Sequence, residues 1–277
     1  MWGICKPKIE DAKGDIVIFK KKGIVKGKDV DSLDLLVEQY EAQGGKVTDM
    51  QHDIISEKGA KSIHAHYEDT EANKPLYYIR QELNENVMKC PYCAIGQPAT
   101  LDHYMPKNKY KALALCRLNL VPMCWECNRG KGHTHPYTEY IHPYYLPDLS
   151  GITFLNTHIE IVGDVLNFTF SFDKEALRDE DLYEQLISHW RNMKLDERLR
   201  KSVIDFIHSE VLSESTDMEV LVKYVAILAE RIKNKYGLND WRSAIMRALS
   251  QQLNGENGNV IVKNLISMKR QVKDIKI

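Results

Sequence analysis

Two Cys-x-x-Cys pairs constrain this sequence more than any other feature. Cys90 with Cys93 forms the first pair and Cys124 with Cys127 the second. Four thiolates complete the tetrahedral coordination of Zn²⁺ and leave no position open for water or substrate, so such a site is structural. In an intracellular protein, paired cysteines of this spacing favour a metal over a disulfide. The sequence therefore predicts a structural zinc site that holds the two cysteine pairs together. A rubredoxin-like iron site and free thiols are the alternatives.

Composition sets wide limits on the class of protein. The 277 residues are 43% hydrophobic and carry a net charge of −1. Such a chain can bury a core, but it is no general polycation, so a nucleic-acid contact would have to be a local patch. No apolar run approaches the roughly 20 residues that span a bilayer, and residues 1–6 do not begin a signal peptide. We expect a cytoplasmic protein with no membrane contact.

An acidic residue and a histidine lie side by side between the cysteine pairs. Asp102 and His103 are followed by Pro106 and Lys107. A hard carboxylate suits a divalent metal ion, and an imidazole suits a general base near neutral pH. Neighbouring side chains of a strand point in opposite directions. Both residues can therefore serve one site only where the backbone is irregular or where a phosphate lies over the end of a strand.

Polar residues also flank the second cysteine pair. Asn119 lies sixteen residues after His103, and Asn128 directly follows Cys127. An asparagine before a strand can fix a loop through hydrogen bonds from its side chain to the backbone. At the start of a helix, the amide oxygen of Asn128 could bind Mg²⁺ and Lys131 could meet a phosphate.

Taken together, these residues resemble the HNH endonuclease motif of the ββα-metal class, in its form with two Cys-x-x-Cys pairs. The resemblance covers about residues 88–132, under a fifth of the chain. The third motif position is Asn128 instead of histidine, as in many members of the family. This departure leaves open whether His133 or His135 contributes a ligand.

The resemblance implies a mechanism. His103 would be the general base that activates a water molecule, and Asp102 with Asn128 would hold one Mg²⁺ or Mn²⁺. Asn119 would fix the loop that aims His103. The products would carry 5′-phosphate and 3′-hydroxyl ends. The residues predicted to contact the DNA substrate are Arg129, Lys131 and Lys107.

A second resemblance concerns the segment His142-Pro143-Tyr144. It is similar to the segment located after the motif in a set of bacterial HNH proteins, many of them from anti-phage defence systems. This likeness implies an effector role in defence, with an ATPase or another defence-system protein as partner.

The predicted fold class is α+β, with a ββα-metal HNH core stapled by zinc. The three predicted regions are 1–74 (small, α+β), 75–150 (the nuclease core) and 151–277 (a β-hairpin followed by helices). A β-branched run at 15–19 predicts a strand in the first region. In the third, the pattern predicts a hairpin over 152–172 and, among the helices, one over 218–236 and one over 241–253.

Two other functions are consistent with the same residues. A zinc-stabilised module that binds nucleic acid or protein without cutting needs the four cysteines but not Asp102, His103 or Asn128. An RNase could use the same site as a DNA endonuclease, because the motif does not distinguish the two substrates.

Overall fold

The computed structural model divides the chain into two compact units, residues 2–147 and residues 148–277. The described residues are 3–132, 139–163, 165–211, 217–256 and 258–273. Within these ranges, no helix combines the length and the apolar character needed for a membrane span. Helices and two small antiparallel sheets make up the described structure, which is consistent with the predicted α+β class. The three-region division, with boundaries after residues 74 and 150, stays a prediction.

Helices fill the part of the first unit that precedes the cysteine pairs. Their bounds are α1 (Ile9–Lys21), α2 (Asp29–Ala42), α3 (Asp49–His52), α4 (Glu57–Ala65), a 3-10 turn (His66–Thr70) and α5 (Tyr77–Asn84). Thr48 and Gln51 form a capping box at the start of α3, and the Ser56 hydroxyl caps α4. These side chains satisfy backbone N–H groups that the first turn of a helix leaves unpaired.

Residues 15–19 lie inside α1, so the predicted strand is wrong. Ala12, Ile16 and Phe19 recur at helical spacing and are buried on one face, together with Asp15. The preference of β-branched residues for strands depends on neighbours in a sheet, and here helix packing supplies the buried surroundings instead. Residues 3–74, all of which are described, contain no strand, so the region predicted as α+β is helical.

Two short strands and a helix follow the first cysteine pair. Strand β1 (Thr100–His103) pairs antiparallel with β2 (Leu120–Met123), and helix α6 (Trp125–Lys131) begins directly after Cys124. Thr100 lies opposite Met123, and His103, at the end of β1, lies opposite Leu120. The long connection from β1 to β2 carries a 3-10 turn at Lys111–Leu113. This order of elements is the predicted ββα unit.

The second unit combines a hairpin with helices. Its elements are β3 (Leu155–Val162), β4 (Val165–Phe172), α7 (Lys174–Leu177), α8 (Glu180–Asn192), α9 (Leu195–Phe206) continued by a π-helical turn (Ile207–Val211), α10 (Met218–Tyr236), α11 (Trp241–Leu253) and α12 (Gly258–Lys273). The predicted hairpin and the helices predicted at 218–236 and 241–253 are confirmed. Gly163 turns the hairpin with a φ of 61°, and Asp164 lies outside the described residues.

The hairpin buries one face against the helices of this unit. Phe170 and Phe172 pack on the buried Trp190 of α8, with ring centroids 5.3 and 5.4 Å away. Asn239 fixes the start of β3, because its side-chain oxygen accepts from the backbone N–H groups of Phe154 and Leu155. The second unit therefore has a core of its own.

Candidate active site

The four cysteines of the two pairs meet at one point of the first unit. All are buried, and their sulfur atoms lie within 4.8 Å of one another. The Sγ atoms of Cys93 and Cys124 are 3.7 Å apart. Tetrahedral zinc with Zn–S bonds of about 2.3 Å places its sulfurs roughly 3.8 Å apart, so this arrangement fits the metal. Among the described residues, no other group of three or more His, Cys, Asp or Glu side chains converges in this way.

Local backbone geometry shapes the first cysteine turn. The Cys90 N–H donates to Gly96 O at 2.9 Å, and the Ile95 N–H donates to the Cys93 sulfur at 3.4 Å. A Cβ on Gly96 would lie 2.7 Å from the Cβ of Cys124, too close for any side chain. Gly96 therefore permits the close approach of the two cysteine turns.

Asp102 and Lys131 form a buried ion pair inside the ββα unit. Lys131 Nζ lies 2.8 Å from Asp102 Oδ2 and donates to His103 O at 2.7 Å. Lys131 is 1% exposed and Asp102 is 5% exposed. The lysine thus ties α6 to the end of β1. Its predicted contact with a substrate phosphate stays a prediction and would require the ammonium to leave both of these partners.

His103 turns to the other side of β1. Its Nε2 lies 2.9 Å from the carbonyl oxygen of Ala114 in the long connection between the strands. Burial lowers the pKa of His103 to about 3, and the charges of Lys107 and Lys131 act in the same direction. The imidazole is therefore neutral at pH 7. Since a carbonyl oxygen only accepts, Nε2 carries the hydrogen and Nδ1 keeps a free lone pair.

Tyr67, from the helical region, packs directly on the histidine. Its ring centroid lies 4.4 Å from that of His103, and its hydroxyl donates to Leu101 O at 2.8 Å. The ammonium of Lys107 lies 4.3 Å from the centroid of the Tyr67 ring. Burial raises the pKa of Tyr67 to about 12, so the hydroxyl stays a donor at neutral pH. No sequence signal marks Tyr67, which lies 34 residues before Leu101.

If the chain cleaves DNA, as the motif resemblance implies, we expect substitutions of Tyr67 to slow that cleavage without weakening substrate binding. Tyr67→Phe loses the hydrogen bond to Leu101 O, and one hydrogen bond of about 1 kcal/mol corresponds to roughly a fivefold lower kcat. Tyr67→Leu also loses the aromatic surface under His103 and should lower kcat further. Steady-state cleavage of a labelled duplex separates kcat from KM. Equal kcat values for Tyr67→Leu and wild type would show that Tyr67 does not position His103 for catalysis.

Asn119 is fully buried and holds the connection between the strands. Its Oδ1 accepts from the Met105 N–H at 2.7 Å and from the Tyr40 hydroxyl at 3.0 Å. Its Nδ2 donates to Met105 O at 3.1 Å and to Leu113 O at 3.2 Å. The Leu113 carbonyl belongs to the residue before Ala114, whose carbonyl fixes His103. The side-chain hydrogen bonds of Asn119 thus go to the loop and to Tyr40.

Asn128 reaches the same strand face as Asp102. Its Nδ2 donates to the Thr100 hydroxyl at 2.9 Å, and Thr100 in turn donates to Met123 O at 3.0 Å. Side chains two apart on a strand share a face, so Asp102 and Asn128 lie at the same side of β1. A carboxylate and an amide oxygen are ligands that Mg²⁺ and Mn²⁺ prefer. His133 and His135, the other ligand candidates, lie outside the described residues.

Arg129 is exposed on the outer face of α6. Its Cζ lies 5.2 Å from the centroid of the Trp125 ring. Of the three residues predicted to contact DNA, Arg129 and the half-buried Lys107 are partly open to solvent, whereas Lys131 is enclosed.

A buried ion pair joins the helical region to this site. Arg117 donates from Nε and Nη2 to the carboxylate of Asp15 at 2.6 and 2.8 Å, and from Nη1 to Glu82 at 2.7 Å. Asp15 also accepts from the Tyr78 hydroxyl at 2.8 Å. Arg117 lies in the long connection that carries Ala114 and Asn119. Helices α1 and α5 therefore brace the backbone that positions His103.

Comparison with known proteins agrees with this geometry. Residues 90–134 match the family described as HNH endonuclease. Protein ea31 of Escherichia phage lambda is 39% identical over 83 residues, which cover 28% of this chain and 28% of ea31. The chain thus spans well under half the length of that relative. No solved structure gives a significant match.

The chain therefore contains an HNH endonuclease domain at residues 90–134, as the motif predicts, and this domain indicates a nuclease in general terms. The resemblance to anti-phage defence proteins stays a prediction.

Proposed function

We propose that this protein is a metal-dependent DNA endonuclease that hydrolyses phosphodiester bonds with His103 as general base. The observation that carries the proposal is the state of that imidazole. Its Nε2 is held by Ala114 O, and its Nδ1 lone pair is left free. A neutral base fixed at the end of a strand, beside a buried carboxylate, is what the activation of a water molecule requires.

The chemistry at His103 is set by this geometry. Nδ1 takes a proton from water, the water oxygen bonds to phosphorus, and the bond from phosphorus to the 3′-oxygen breaks. The departing 3′-oxygen takes a proton from solvent. A bound phosphodiester brings negative charge toward the imidazole, which favours the protonated form and opposes the effect of burial on the pKa of His103. The His103 imidazole is therefore a stronger base with substrate bound than without it.

Asp102 and Asn128 would hold the catalytic Mg²⁺ or Mn²⁺. When bound, such an ion stabilises the negative charge that builds on the phosphate and on the leaving oxygen. The buried Asp102 carboxylate already faces a positive charge, the Lys131 ammonium, at 2.8 Å. Because two cations at one carboxylate repel each other, the metal ion would compete with the Lys131 ammonium for Asp102.

The remaining residues place these groups or meet the substrate. Asn119 fixes the loop, and Lys131 ties α6 to the end of β1. Arg129 and Lys107 would contact phosphates next to the scissile bond. The four cysteines would hold zinc as a structural ion, separate from the catalytic metal.

The substrate and metal are tested by cleavage of a supercoiled plasmid in Mg²⁺, Mn²⁺ or Ca²⁺, beside an RNA of matching sequence. We expect nicked or linear DNA in Mg²⁺ or Mn²⁺, with ends that DNA ligase rejoins directly because they carry 5′-phosphate and 3′-hydroxyl groups. Cleavage of RNA alone would make the protein an RNase. Binding without cleavage of either would favour the non-catalytic zinc module.

The biological setting we propose is an effector role in anti-phage defence, in the cytoplasm, with an ATPase or another defence-system protein as partner. This part rests on the sequence resemblance around His142 alone. It is tested by whether the chain, expressed in bacteria with its neighbouring genes, lowers phage plating efficiency, and whether His103→Ala abolishes that protection.

A further inference from the structure

Trp125 is unusual among the described tryptophans of this chain. It is 56% exposed, whereas Trp190 and Trp241 are 5% and 2% exposed. Trp125 is the first residue of α6 and lies between two buried cysteines of the metal cluster. Cys124 before it and Cys127 two residues after it hold this turn in place, and the indole is presented to solvent from that turn. The exposed ring is therefore available for a contact with a ligand.

An arginine lies on the same face of this short helix. Arg129 follows Trp125 by four residues, and its Cζ lies 5.2 Å from the centroid of the indole. Residues four apart on a helix are neighbours, so the two side chains form one surface patch. The carboxylate of Glu126 is directed elsewhere, because it lies close to Gly96 in the first cysteine turn. The patch thus combines an aromatic face with a positive charge.

The patch adjoins the proposed catalytic site. Asn128, which reaches Thr100 on the face of β1 that carries Asp102, lies between Trp125 and Arg129 in the same helix. A DNA strand whose phosphate lies at Asp102 and His103 would therefore bring an adjacent nucleotide to the outer face of α6. An aromatic ring stacks on any base, and an arginine beside it can meet the phosphate of the same nucleotide.

We propose that Trp125 and Arg129 form a stacking platform for one unpaired base next to the scissile phosphate. The preferred substrate is then single-stranded or locally unpaired DNA, because a base inside a duplex offers no free face for stacking. This inference rests on the proposed nuclease function and specifies its substrate. A protein partner would need an apolar counterpart and would gain less from the charge of Arg129.

The platform is tested by binding, in a protein that cannot cut. In the His103→Ala background and without added divalent metal, fluorescence anisotropy would measure affinity for a labelled single strand and for the duplex of the same sequence. Trp125→Ala should weaken single-strand binding about 5- to 100-fold, the range for losing one stacked base, and duplex binding much less. Trp125→Phe should retain most of the affinity. Arg129→Ala should weaken binding and lower its salt dependence.

Matched controls separate the platform from general surface effects. Met88→Ala removes another exposed apolar side chain of the first unit, 73% exposed, and Lys58→Ala removes one exposed charge. Both should bind like the parent protein. Zinc content is measured in every variant, and Trp125→Leu, which keeps an apolar side chain but offers no ring for stacking, decides if Trp125→Ala loses metal.

Single-strand affinity equal to that of the His103→Ala parent in zinc-loaded Trp125→Ala or Trp125→Leu, or an equal loss on single strand and duplex, would overturn the platform. Plasmid cleavage by the protein with His103 intact is scored separately. If that protein fails to cut while Trp125→Ala loses single-strand binding, the platform stands and the nuclease proposal falls. If that protein cuts the plasmid while Trp125→Ala keeps the single-strand affinity of its parent, the platform falls and the nuclease proposal stands.

Discussion

We expect the replacement of Cys124 with alanine to abolish stoichiometric zinc binding and to destabilise the HNH core. Cys124 contributes one of four converging sulfurs and is also the residue from which α6 starts. Structural zinc contributes on the order of 10–16 kcal/mol in zinc-finger peptides, which is comparable to the whole stability of a typical domain. The short strands and the seven-residue helix α6 bury too little surface to replace that contribution.

Loss of this cysteine also separates the groups of the candidate site. Helix α6 carries Asn128 and Lys131, which reach Thr100, Asp102 and His103 O on β1. Zinc per chain by elemental analysis, and thermal unfolding followed by circular dichroism, measure the two effects. We expect less than one equivalent of zinc and a lower unfolding temperature for Cys124→Ala.

Cys116 supplies the matched control for this prediction. It is buried and does not belong to the cluster of four converging sulfurs, and burial raises the pKa of its thiol to about 12. Cys116→Ala should keep a full equivalent of zinc. Full zinc occupancy in Cys124→Ala would contradict the four-cysteine site, and a purified protein with iron in place of zinc would favour the rubredoxin-like alternative.

Arg117→Ala will lower the free energy of unfolding by about 3–5 kcal/mol, the usual result of removing one partner of a buried ion pair. Arg117 and Asp15 are 4% and 3% exposed. Burial raises the pKa of Asp15, and the hydrogen bonds from Arg117 lower it, so the charged carboxylate depends on the arginine. Without Arg117, a buried carboxylate remains with the Tyr78 hydroxyl. Urea denaturation measures the loss.

The loss in free energy of unfolding that Arg117→Ala causes, relative to wild type, should become smaller as the pH falls. An acid whose pKa is raised in the folded state binds protons more readily when folded, so stability relative to wild type increases toward low pH. The double variant Asp15→Asn with Arg117→Met should recover much of the loss, because no charge is left unpaired. Lys61→Ala, which breaks an exposed pair with Glu57, is the surface control and should change little. A loss in Arg117→Ala no larger than in Lys61→Ala would show that the buried pair does not stabilise the fold.

The parts of the site that the sequence predicts are those encoded within a short span. The cysteine spacing predicts the cluster of buried sulfurs, and the resemblance of the residues around Asp102, Asn119 and Asn128 to the HNH motif implies two strands and a helix. These features are local, because each depends on turns and on strands only four residues long. A short motif can therefore carry the information.

Other parts of the site depend on contacts between distant residues. Arg117 meets Asp15 across 102 positions, and Tyr67 reaches Leu101 across 34. No motif encodes such pairs. The strand predicted at 15–19 fails for the same reason, since burial of Asp15 against Arg117 selects a helical face over local β-propensity. Lys131 looks like a phosphate contact in the motif, yet the fold encloses it between β1 and α6.

The role of His103 is decided by plasmid cleavage in Mg²⁺, with wild type and His103→Ala measured side by side and zinc determined in both. Loss of a general base lowers the rate by about 10²- to 10⁴-fold, while the zinc site, which does not include His103, should stay filled. His158→Ala, in the exposed part of the second unit, is the histidine control and should cut like wild type. Equal cleavage rates for wild type and zinc-loaded His103→Ala would contradict the assignment of His103 as the catalytic base.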